Sequence, residues 1–343
     1  MKKLDCFEKY LAKHLERYPE MQPQDVVKIC YQAAYGAEHL LGDVNAAKEY
    51  FISEYSAVEP QNTEIFEEIS QEYIRVNLAA WKYHGLPQEW LFNMFAFTAK
   101  NRHDADNRFD EYLQIAEKSI GKEYIEGYKK GGARAVHHSD EYRAAYKPAY
   151  RVVCSRFVRL IPVLVKAAKL PEKDGARVIS IDGRAASGKT TAAKMLSKVL
   201  GAAVLHMDDF FLPPEMRSCD RFAQPGGNVH YERFAKEVLP ALSECESFSY
   251  SIFDCGIMDF AGSRVVENLP WRIVEGAYSC HKAFGDYADL KVFFDIDAEE
   301  QMRRIIARNG EEMAEMFRTR WIPLEEEYYI AHNIKEKADI IVK

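Results

Sequence analysis

The stretch Gly183-Arg-Ala-Ala-Ser-Gly-Lys-Thr190 decides the fold of the C-terminal half of the chain. It follows the apolar run at residues 177–182 and precedes a helix-like run at residues 191–200. A G-x-x-x-x-G-K-[ST] pattern between a strand and a helix is typical of a loop that wraps the phosphates of a nucleotide at a helix N-terminus. The lysine adds a positive charge, and the final hydroxyl can bind magnesium. We predict that ATP is bound by Gly183, Ala185, Ala186, Ser187, Gly188, Lys189, Thr190 and Thr191.

The composition is that of a globular protein, with 48% hydrophobic residues, 29% charged residues and a formal net charge of −7. No apolar stretch approaches the roughly 18 residues that a membrane span needs, and the N-terminus has no signal-peptide pattern. We therefore expect a cytoplasmic protein with no membrane partner. The negative charge indicates that nucleic acid is not a partner. The seven cysteines have no C-x-x-C spacing, which favours reduced thiols.

The character of the sequence changes near residues 169–176, where a proline, several charges and a glycine follow a helical pattern. We predict a mostly α-helical domain at residues 1–170 and an α/β domain at residues 176–343. In the second domain, short β-rich runs alternate with amphipathic stretches. They predict a phosphate-loop NTPase-type parallel sheet, flanked by helices, with its ligand at the carboxyl ends of the strands. These predicted strands lie at residues 202–209, 248–254, 271–276, 290–297 and 338–342.

Acidic and basic side chains near these strand ends suit phosphoryl transfer, which requires positioning and charge neutralisation. Asp208 ends the second predicted strand, and we assign it the role of the base; the alternative is that Asp208 and Asp209 only cap a turn. Glu275 ends another strand and is a candidate magnesium ligand with Thr190 and Asp208, unless it is merely solvated. Arg304 and Arg308 lie four residues apart on one helix face and are candidate phosphate clamps, with a salt-bridged surface as the alternative. The predicted catalytic residues are Asp208, Lys189, Arg304 and Arg308.

Together these motifs resemble the uridine kinase and phosphoribulokinase family of phosphate-loop kinases over residues 176–343. The resemblance rests on the loop, on Met207-Asp-Asp-Phe-Phe211, on Val274-Glu-Gly-Ala-Tyr278 and on Arg303-Arg-Ile-Ile-Ala-Arg308. It implies transfer of the γ-phosphate of ATP to a hydroxyl of a small molecule. It also implies that Asp208 activates that hydroxyl, that Glu275 and Thr190 lie near magnesium, and that the arginines cover the phosphates.

The acceptor pocket departs from the family pattern. Uridine kinases carry an Asn-x-Asp element where this chain has Asn228-Val-His230, and their Tyr-Asp-Phe element appears here as Phe253-Asp-Cys255. Replacing polar contacts changes which acceptor a site selects, so we expect another acceptor or another binding geometry. Each candidate contact has a surface or packing role as its alternative. The candidates are Arg221, Asn228, His230, Tyr231, Arg233, Asp254 and His281.

The N-terminal half contains polar clusters at residues 31–41, 72–77 and 137–151 that are candidates for one pocket. Imidazole and carboxylate groups suit a metal or an anionic ligand. The structural alternative is that Ser139 caps a helix, that Pro148 starts another, and that apolar residues from Val153 to Val165 form one buried helical stripe. The candidate ligands are Glu38, His39, His137 and His138.

We therefore predict a magnesium-dependent ATP kinase for a small hydroxyl-bearing metabolite, with a nucleoside as one candidate. In this hypothesis the helical domain supplies substrate contacts or regulation. The alternative is an ATP-dependent switch in which the nucleotide controls what the helical domain binds. A third hypothesis makes the helical domain a separate fused enzyme, and the sequence leaves a homo-oligomer open.

Overall fold

The computed structural model describes residues 4–37, 42–100, 106–244 and 246–343. The chain divides into two compact units, unit 1 (Met1–Val158) and unit 2 (Arg159–Lys343). The domain boundary expected from the sequence, between residues 170 and 176, stays a prediction. No helix in the described ranges has both the length and the apolar character that crossing a membrane requires.

Unit 1 combines helices with a small antiparallel sheet, which the sequence did not predict. Its three strands are ordered β1-β2-β3. An apolar cluster formed by the first two helices and the sixth contains Phe7, Val27, Ile29 and Leu113, all of them buried. The elements are α1 (Leu4–Arg17), α2 (Pro23–Tyr35), α3 (Val44–Ala57), β1 (Phe66–Glu68), β2 (Tyr73–Asn77), α4 (Leu78–Tyr83), α5 (Gln88–Lys100), α6 (Asp106–Ile120), α7 (Lys122–Lys130), α8 (Asp140–Tyr146) and β3 (Tyr150–Cys154).

The predicted helical stripe from Val153 to Val165 is wrong at its start, whereas Ile161 and Leu164 are buried residues of a helix at Ile161–Ala167, as predicted. Val153 lies in β3 and pairs with Ile74 of β2, and a 3-10 turn, Ser155–Phe157, separates it from the next helix. Consecutive β-branched residues at this point favour a strand, and tertiary pairing with β2 overrides the helical spacing.

The turn before this strand shows one correct prediction and one error. Ser139 is the N-cap of α8, and its side chain accepts a hydrogen bond from the backbone N–H of Tyr142 at 3.2 Å. This confirms the predicted cap. Pro148 starts no helix but leads into β3, because Lys147 takes a left-handed conformation and ends α8.

Unit 2 is an α/β domain with a five-stranded parallel sheet in the order β10-β9-β4-β8-β5, flanked by helices. The predicted fold class is confirmed. The elements are α9 (Ile161–Ala167), β4 (Arg177–Gly183), α10 (Lys189–Leu200), β5 (Ala202–His206), α11 (Cys219–Phe222), α12 (Tyr231–Glu237), α13 (Leu239–Leu242), β6 (Phe248–Asp254), β7 (Asp259–Val266), β8 (Trp271–Glu275), β9 (Leu290–Phe294), α14 (Ala298–Met316), α15 (Ile322–His332) and β10 (Ile340–Val342).

One predicted strand of the sheet lies elsewhere. β6 forms a separate two-stranded antiparallel ribbon with β7, so its expected place in the central sheet is wrong. The turn between β6 and β7 is short. In it, the Asp254 side chain accepts a hydrogen bond from the backbone N–H of Gly256 at 2.6 Å, and Met258 has a positive φ of 57°. A short turn of this kind pairs neighbouring strands directly, without the crossover that a parallel strand requires.

The register of the sheet places the tips of three strands side by side. Glu275 at the end of β8 is opposite Ile181 of β4 and opposite His206 of β5. The backbone N–H of Gly276 also donates to the carbonyl of Ile181 at 3.0 Å. The phosphate-binding pattern and two strand-end side chains therefore meet at one edge of the sheet.

Candidate active site

The loop after β4 has the backbone conformation that its glycines and small residues allow. Gly183 has a φ of 132°, and a Cβ there would lie 2.2 Å from the carbonyl oxygen of Phe294 in β9. Gly188 has a φ of 100°, and Ala186 between them has a φ of 58°. Glycine adopts positive φ angles, such as those of Gly183 and Gly188, at little cost. The two glycines let the loop turn sharply and pass close to the neighbouring strand.

The start of α10 has the properties of an anion site. The helix begins at Lys189 with no side-chain cap, so the N–H groups of its first turn have no partner within the helix. Lys189 is only 9% exposed. Its ammonium group donates to the loop carbonyls of Gly183 and, at 2.9 Å, Arg184. Free amides, a helix dipole and a positive charge inside one loop suit a polyphosphate.

A buried carboxylate connects the strand ends to this helix. Glu275, 4% exposed, accepts hydrogen bonds from the Thr190 hydroxyl at 3.2 Å and from His206 Nδ1 at 2.5 Å. The bond to Glu275 raises the pKa of His206. A hydroxyl and a carboxylate on adjacent elements are a fitting oxygen pair for a magnesium ion that also contacts phosphates. Within the described ranges, no group of three or more His, Cys, Asp or Glu side chains forms a metal site by itself.

The two neighbouring aspartates have separate environments. They lie in a 3-10 turn, Met207–Phe210, and not at the end of an extended strand as predicted. Asp208 lines the cavity beside the loop, where burial and the nearby Glu275 raise the pKa of its carboxyl. Asp209 points into the protein and accepts hydrogen bonds from Tyr250 at 2.9 Å and from Arg264 at 2.9 Å. Asp209 therefore ties the turn to the β6–β7 ribbon.

These groups open onto one cavity of about 760 Å³ in unit 2. Its wall combines loop residues, acids, basic side chains and a largely apolar side. Eleven of the predicted site residues line it: Ala185, Ala186, Gly188, Lys189, Thr190, Thr191, Asp208, Asn228, Glu275, Arg304 and Arg308.

Two other predicted loop residues lie behind the wall. Gly183 makes the close approach to β9 described above. The Ser187 side chain is buried, and its hydroxyl has no hydrogen-bond partner.

Six of the seven predicted acceptor contacts do not line this cavity. The Arg233 guanidinium donates to the backbone carbonyls of Asp209 and Ser251. The rings of Tyr231 and His281 stack with their centroids 4.7 Å apart. The other three have local roles: His230 caps α12, Asp254 holds the turn of the ribbon, and Arg221 pairs with Glu232 at 2.6 Å. Of the seven predicted acceptor contacts, only Asn228 lines the cavity, and the acceptor roles themselves stay predictions.

The predicted clamp helix carries its arginines as expected on one face. Arg304 reaches the carbonyl of Ala186 in the loop at 3.3 Å, while Glu300 accepts from its Nε at 2.7 Å. Arg308 lines the same cavity one turn further along. Arg303, on another face, forms only an exposed pair with Glu300.

Glu325 is the site residue that sequence reasoning missed. It lies on α15, is 8% exposed, lines the cavity and accepts a hydrogen bond from the loop amide of Ala185 at 3.0 Å. Burial raises the pKa of its carboxyl to about 7. Glu325 is followed directly by Glu326 and Glu327, and nothing in the sequence separates the buried carboxylate from these acidic neighbours.

A second missed group supports the start of the loop. Asp182 is fully buried and accepts hydrogen bonds from the N–H groups of Gly183 at 2.7 Å and Cys280 at 2.9 Å, and from the Tyr328 hydroxyl at 2.8 Å. Burial raises the pKa of its carboxyl. The sequence does offer a signal for Asp182, because it is an acidic residue at the end of the apolar run at residues 177–182.

Two of the four ligand candidates of the N-terminal half, His137 and His138, lie in the described ranges, and each has a partner within unit 1. Glu38 and His39 lie outside the described residues. His138 donates to the buried Asp25, with Nδ1 2.8 Å from the carboxylate oxygen. The backbone carbonyl of His137 accepts from the Gln24 side chain at 2.8 Å.

The parallel sheet, its flanking helices and the loop define unit 2 as a phosphate-loop α/β domain. No protein-family model matches the chain. A solved structure from Bacillus stearothermophilus, described as a possible uridine kinase, is 21% identical; the match covers 55% of this chain and 100% of that one, with a TM-score of 0.43. A candidate fructose transport system kinase from a Silicibacter species is 20% identical over 50% of this chain and 92% of that one, with a TM-score of 0.42. These are proteins that the chain resembles over about half of its length.

Proposed function

We propose that unit 2 is an ATP-dependent kinase that phosphorylates a hydroxyl of a small metabolite. The observation that carries the proposal is a single cavity lined by Lys189 of the phosphate loop, by Asp208 and Glu275 at the strand ends, and by Arg304 of the neighbouring helix. Phosphoryl transfer needs this combination: groups that hold the phosphates, groups that neutralise charge, and a carboxylate beside the acceptor.

In this proposal the phosphates of ATP bind to the amides at the start of α10 and to the ammonium of Lys189. Arg304 and Arg308, which line the same cavity, neutralise the negative charge of the phosphates. Thr190 and Glu275 would hold the magnesium ion, whose chemistry is to neutralise the phosphate oxygens and align them.

Asp208 has the role of the base. The acceptor oxygen forms a bond to the γ-phosphorus, the bond from that phosphorus to the β–γ bridging oxygen breaks, and ADP leaves. The hydroxyl proton passes to Asp208 and then to solvent. Burial and the nearby Glu275 raise the pKa of the Asp208 carboxyl, which makes this carboxylate a better proton acceptor than an ordinary aspartate.

The apolar residues of the cavity lining favour an acceptor with an apolar or flat part. Phe211, Phe222, Met258 and Tyr278 contribute apolar surface there, and Asn228 adds an amide. Rings bind well between such side chains, and the amide can fix a hydroxyl or a carbonyl. A nucleoside is one candidate, and a smaller ring-bearing alcohol is another.

The test is ADP formation by the full chain with ATP, magnesium and a panel of nucleosides, sugars and ring-bearing alcohols, with product identification by mass spectrometry. We expect at least one acceptor to yield a phosphorylated product. Asp208→Asn should lower kcat by about 100-fold or more while changing the Kd for ATP less than threefold. Asp220→Asn, an exposed aspartate outside the cavity lining, is the matched control and should retain full activity.

Slow ATP hydrolysis without any phosphorylated small molecule would contradict the kinase proposal and favour the nucleotide switch. Equal losses of ATP affinity and turnover in Asp208→Asn would contradict its role as the base.

A further inference from the structure

Unit 1 has a cavity of its own, lined by residues of that unit. It measures about 1070 Å³, enough for a ligand of nucleotide size. Its deep end is lined by Arg75, His14, Tyr142 and Tyr150, and Tyr146 belongs to its wall.

The most informative residue of this cavity is Arg75, which is only 4% exposed. Nε and Nη2 donate to the Gln32 side-chain oxygen at 3.2 and 2.6 Å. Nη1 lies 3.0 Å from the Tyr10 hydroxyl and 3.2 Å from Nε2 of His14. All of these partners are neutral, since burial and the nearby guanidinium lower the pKa of His14 to about 2.

Arg75 forms no ion pair with any carboxylate in the described ranges of the chain. Four of its five N–H groups have neutral partners, and one Nη2 N–H is left. Burying a cation without a counter-ion is costly, and proteins keep such charges where they bind an anion or another charged group. Glu67 lines the same cavity, and its charge contributes to the raised pKa of Arg75, but its carboxylate pairs with Arg17. Because Arg75 lies in the wall of this cavity, an anionic ligand can supply a directly bound counter-ion.

A second set of hydrogen bonds fixes the floor of the cavity. The Tyr150 ring lies 4.4 Å from the Arg75 guanidinium, and its hydroxyl lies 2.7 Å from Nε2 of His138. His138 donates from Nδ1 to Asp25 at 2.8 Å. Asp25 also accepts from the Ser139 hydroxyl at 2.5 Å. Such support around one cation is typical of a preorganised binding site.

The side wall is aromatic. The ring centroids of Tyr18, Tyr142 and Tyr146 lie 4.9 to 5.7 Å from one another. Arg17 and Glu67 also line the cavity and pair with each other at 2.7 Å.

We propose that unit 1 binds an organic oxyanion with a flat ring, its acidic group on Arg75 and its ring against Tyr142 and Tyr146. The acidic group is a phosphate monoester or a carboxylate, since a guanidinium binds both.

The probes are phenyl phosphate, benzoate and inorganic phosphate, titrated calorimetrically into the full chain carrying Lys189→Ala, which removes the loop ammonium of unit 2. We expect phenyl phosphate or benzoate to bind, and the tighter of the two identifies the acidic group. Adding Arg75→Gln should weaken that binding about 10- to 100-fold, the usual effect of losing a charge-assisted hydrogen bond. Arg143→Gln removes an exposed positive charge from the same unit outside the cavity lining and should have no effect.

Tyr146→Ala provides the test if Arg75→Gln does not fold. Loss of its ring should weaken binding of the ring-bearing probe about three- to tenfold and leave inorganic phosphate unaffected. The proposal is overturned if neither ring-bearing probe binds, or if the Arg75 and Tyr146 variants bind the probes as tightly as the Lys189→Ala parent does. Neither result depends on whether unit 2 is a kinase.

Discussion

Replacing Glu325 by glutamine should remove a large pH dependence from the stability of unit 2. The carboxyl is buried against the loop, and its pKa rises from 4.5 to about 7 on folding. Below pH 4.5 the Glu325 carboxyl is protonated in both the folded and the unfolded chain, so it makes no pH-dependent contribution to the free energy of unfolding. Between pH 4.5 and 7 the unfolded chain ionises while the folded chain does not, so the free energy of unfolding falls; above pH 7 both states are ionised and the loss is complete.

The size of the effect follows from the difference in pKa. At about 1.4 kcal/mol for each unit of pKa difference, the free energy of unfolding falls by about 3 kcal/mol in total. About 2.5 kcal/mol of this fall occurs between pH 5 and pH 8. Glu325→Gln retains an oxygen that can accept from the Ala185 amide but cannot ionise. Relative to the wild type, the variant should therefore gain about 2.5 kcal/mol between pH 5 and pH 8.

The assay is urea unfolding at pH 5 and pH 8, read by pulsed hydrogen exchange in peptides of β4 and β8, which report on unit 2 alone. The control is Glu327→Gln, an exposed residue of the same helix, which should follow the wild type at both pH values. If the difference between Glu325→Gln and the wild type is the same at pH 5 and pH 8, the reasoning is refuted.

Three further predictions concern the loop and its neighbours. Gly183→Ala places a Cβ 2.2 Å from the Phe294 carbonyl oxygen, and unfolding in urea should show a loss of about 3 kcal/mol. Gly201→Ala, with a positive φ of 66° but open space around it, should cost only about 1 kcal/mol, and equal losses would contradict the steric argument. Lys189→Ala should raise the Kd for ATP about 100-fold, as calorimetry can measure, because two charge-assisted hydrogen bonds are lost; an unchanged Kd would mean that the loop does not hold the phosphates. Glu275→Gln should raise the magnesium concentration for half-maximal activity about tenfold, and an unaltered magnesium titration would exclude Glu275 as a ligand.

Local signals were enough to predict the sheet of unit 2 and its loop. Short apolar runs bounded by polar residues identify β4, β8 and β9, since a buried parallel strand has no polar face. The loop pattern adds a sharp turn and a helix start, which the torsions of Gly183 and Gly188 bear out.

Features that depend on distant partners could not be predicted in the same way. β6 has the composition of a central strand, but its pairing with β7 is decided by the turn at Gly256. Asp208 and Asp209 look alike in sequence, and only the 3-10 turn sends one to the cavity and the other to Arg264. Arg75 lies in an apolar strand pattern, where its burial is evident only when Gln32 and Tyr10 are brought beside it.

The backbone break inside α14 affects how the mouth of the unit 2 cavity is built. Gly310 has a φ of 80° and a ψ of 171°, and a Cβ there would meet nothing within 4 Å. Its torsion angles, and not its packing, therefore favour glycine. Arg304 and Arg308 precede this break, whereas Trp321 and Glu325 follow it, so these four lining residues belong to two separate helical segments. The backbone torsion of one glycine outside the cavity lining therefore sets the angle between the two helical segments that carry these lining residues.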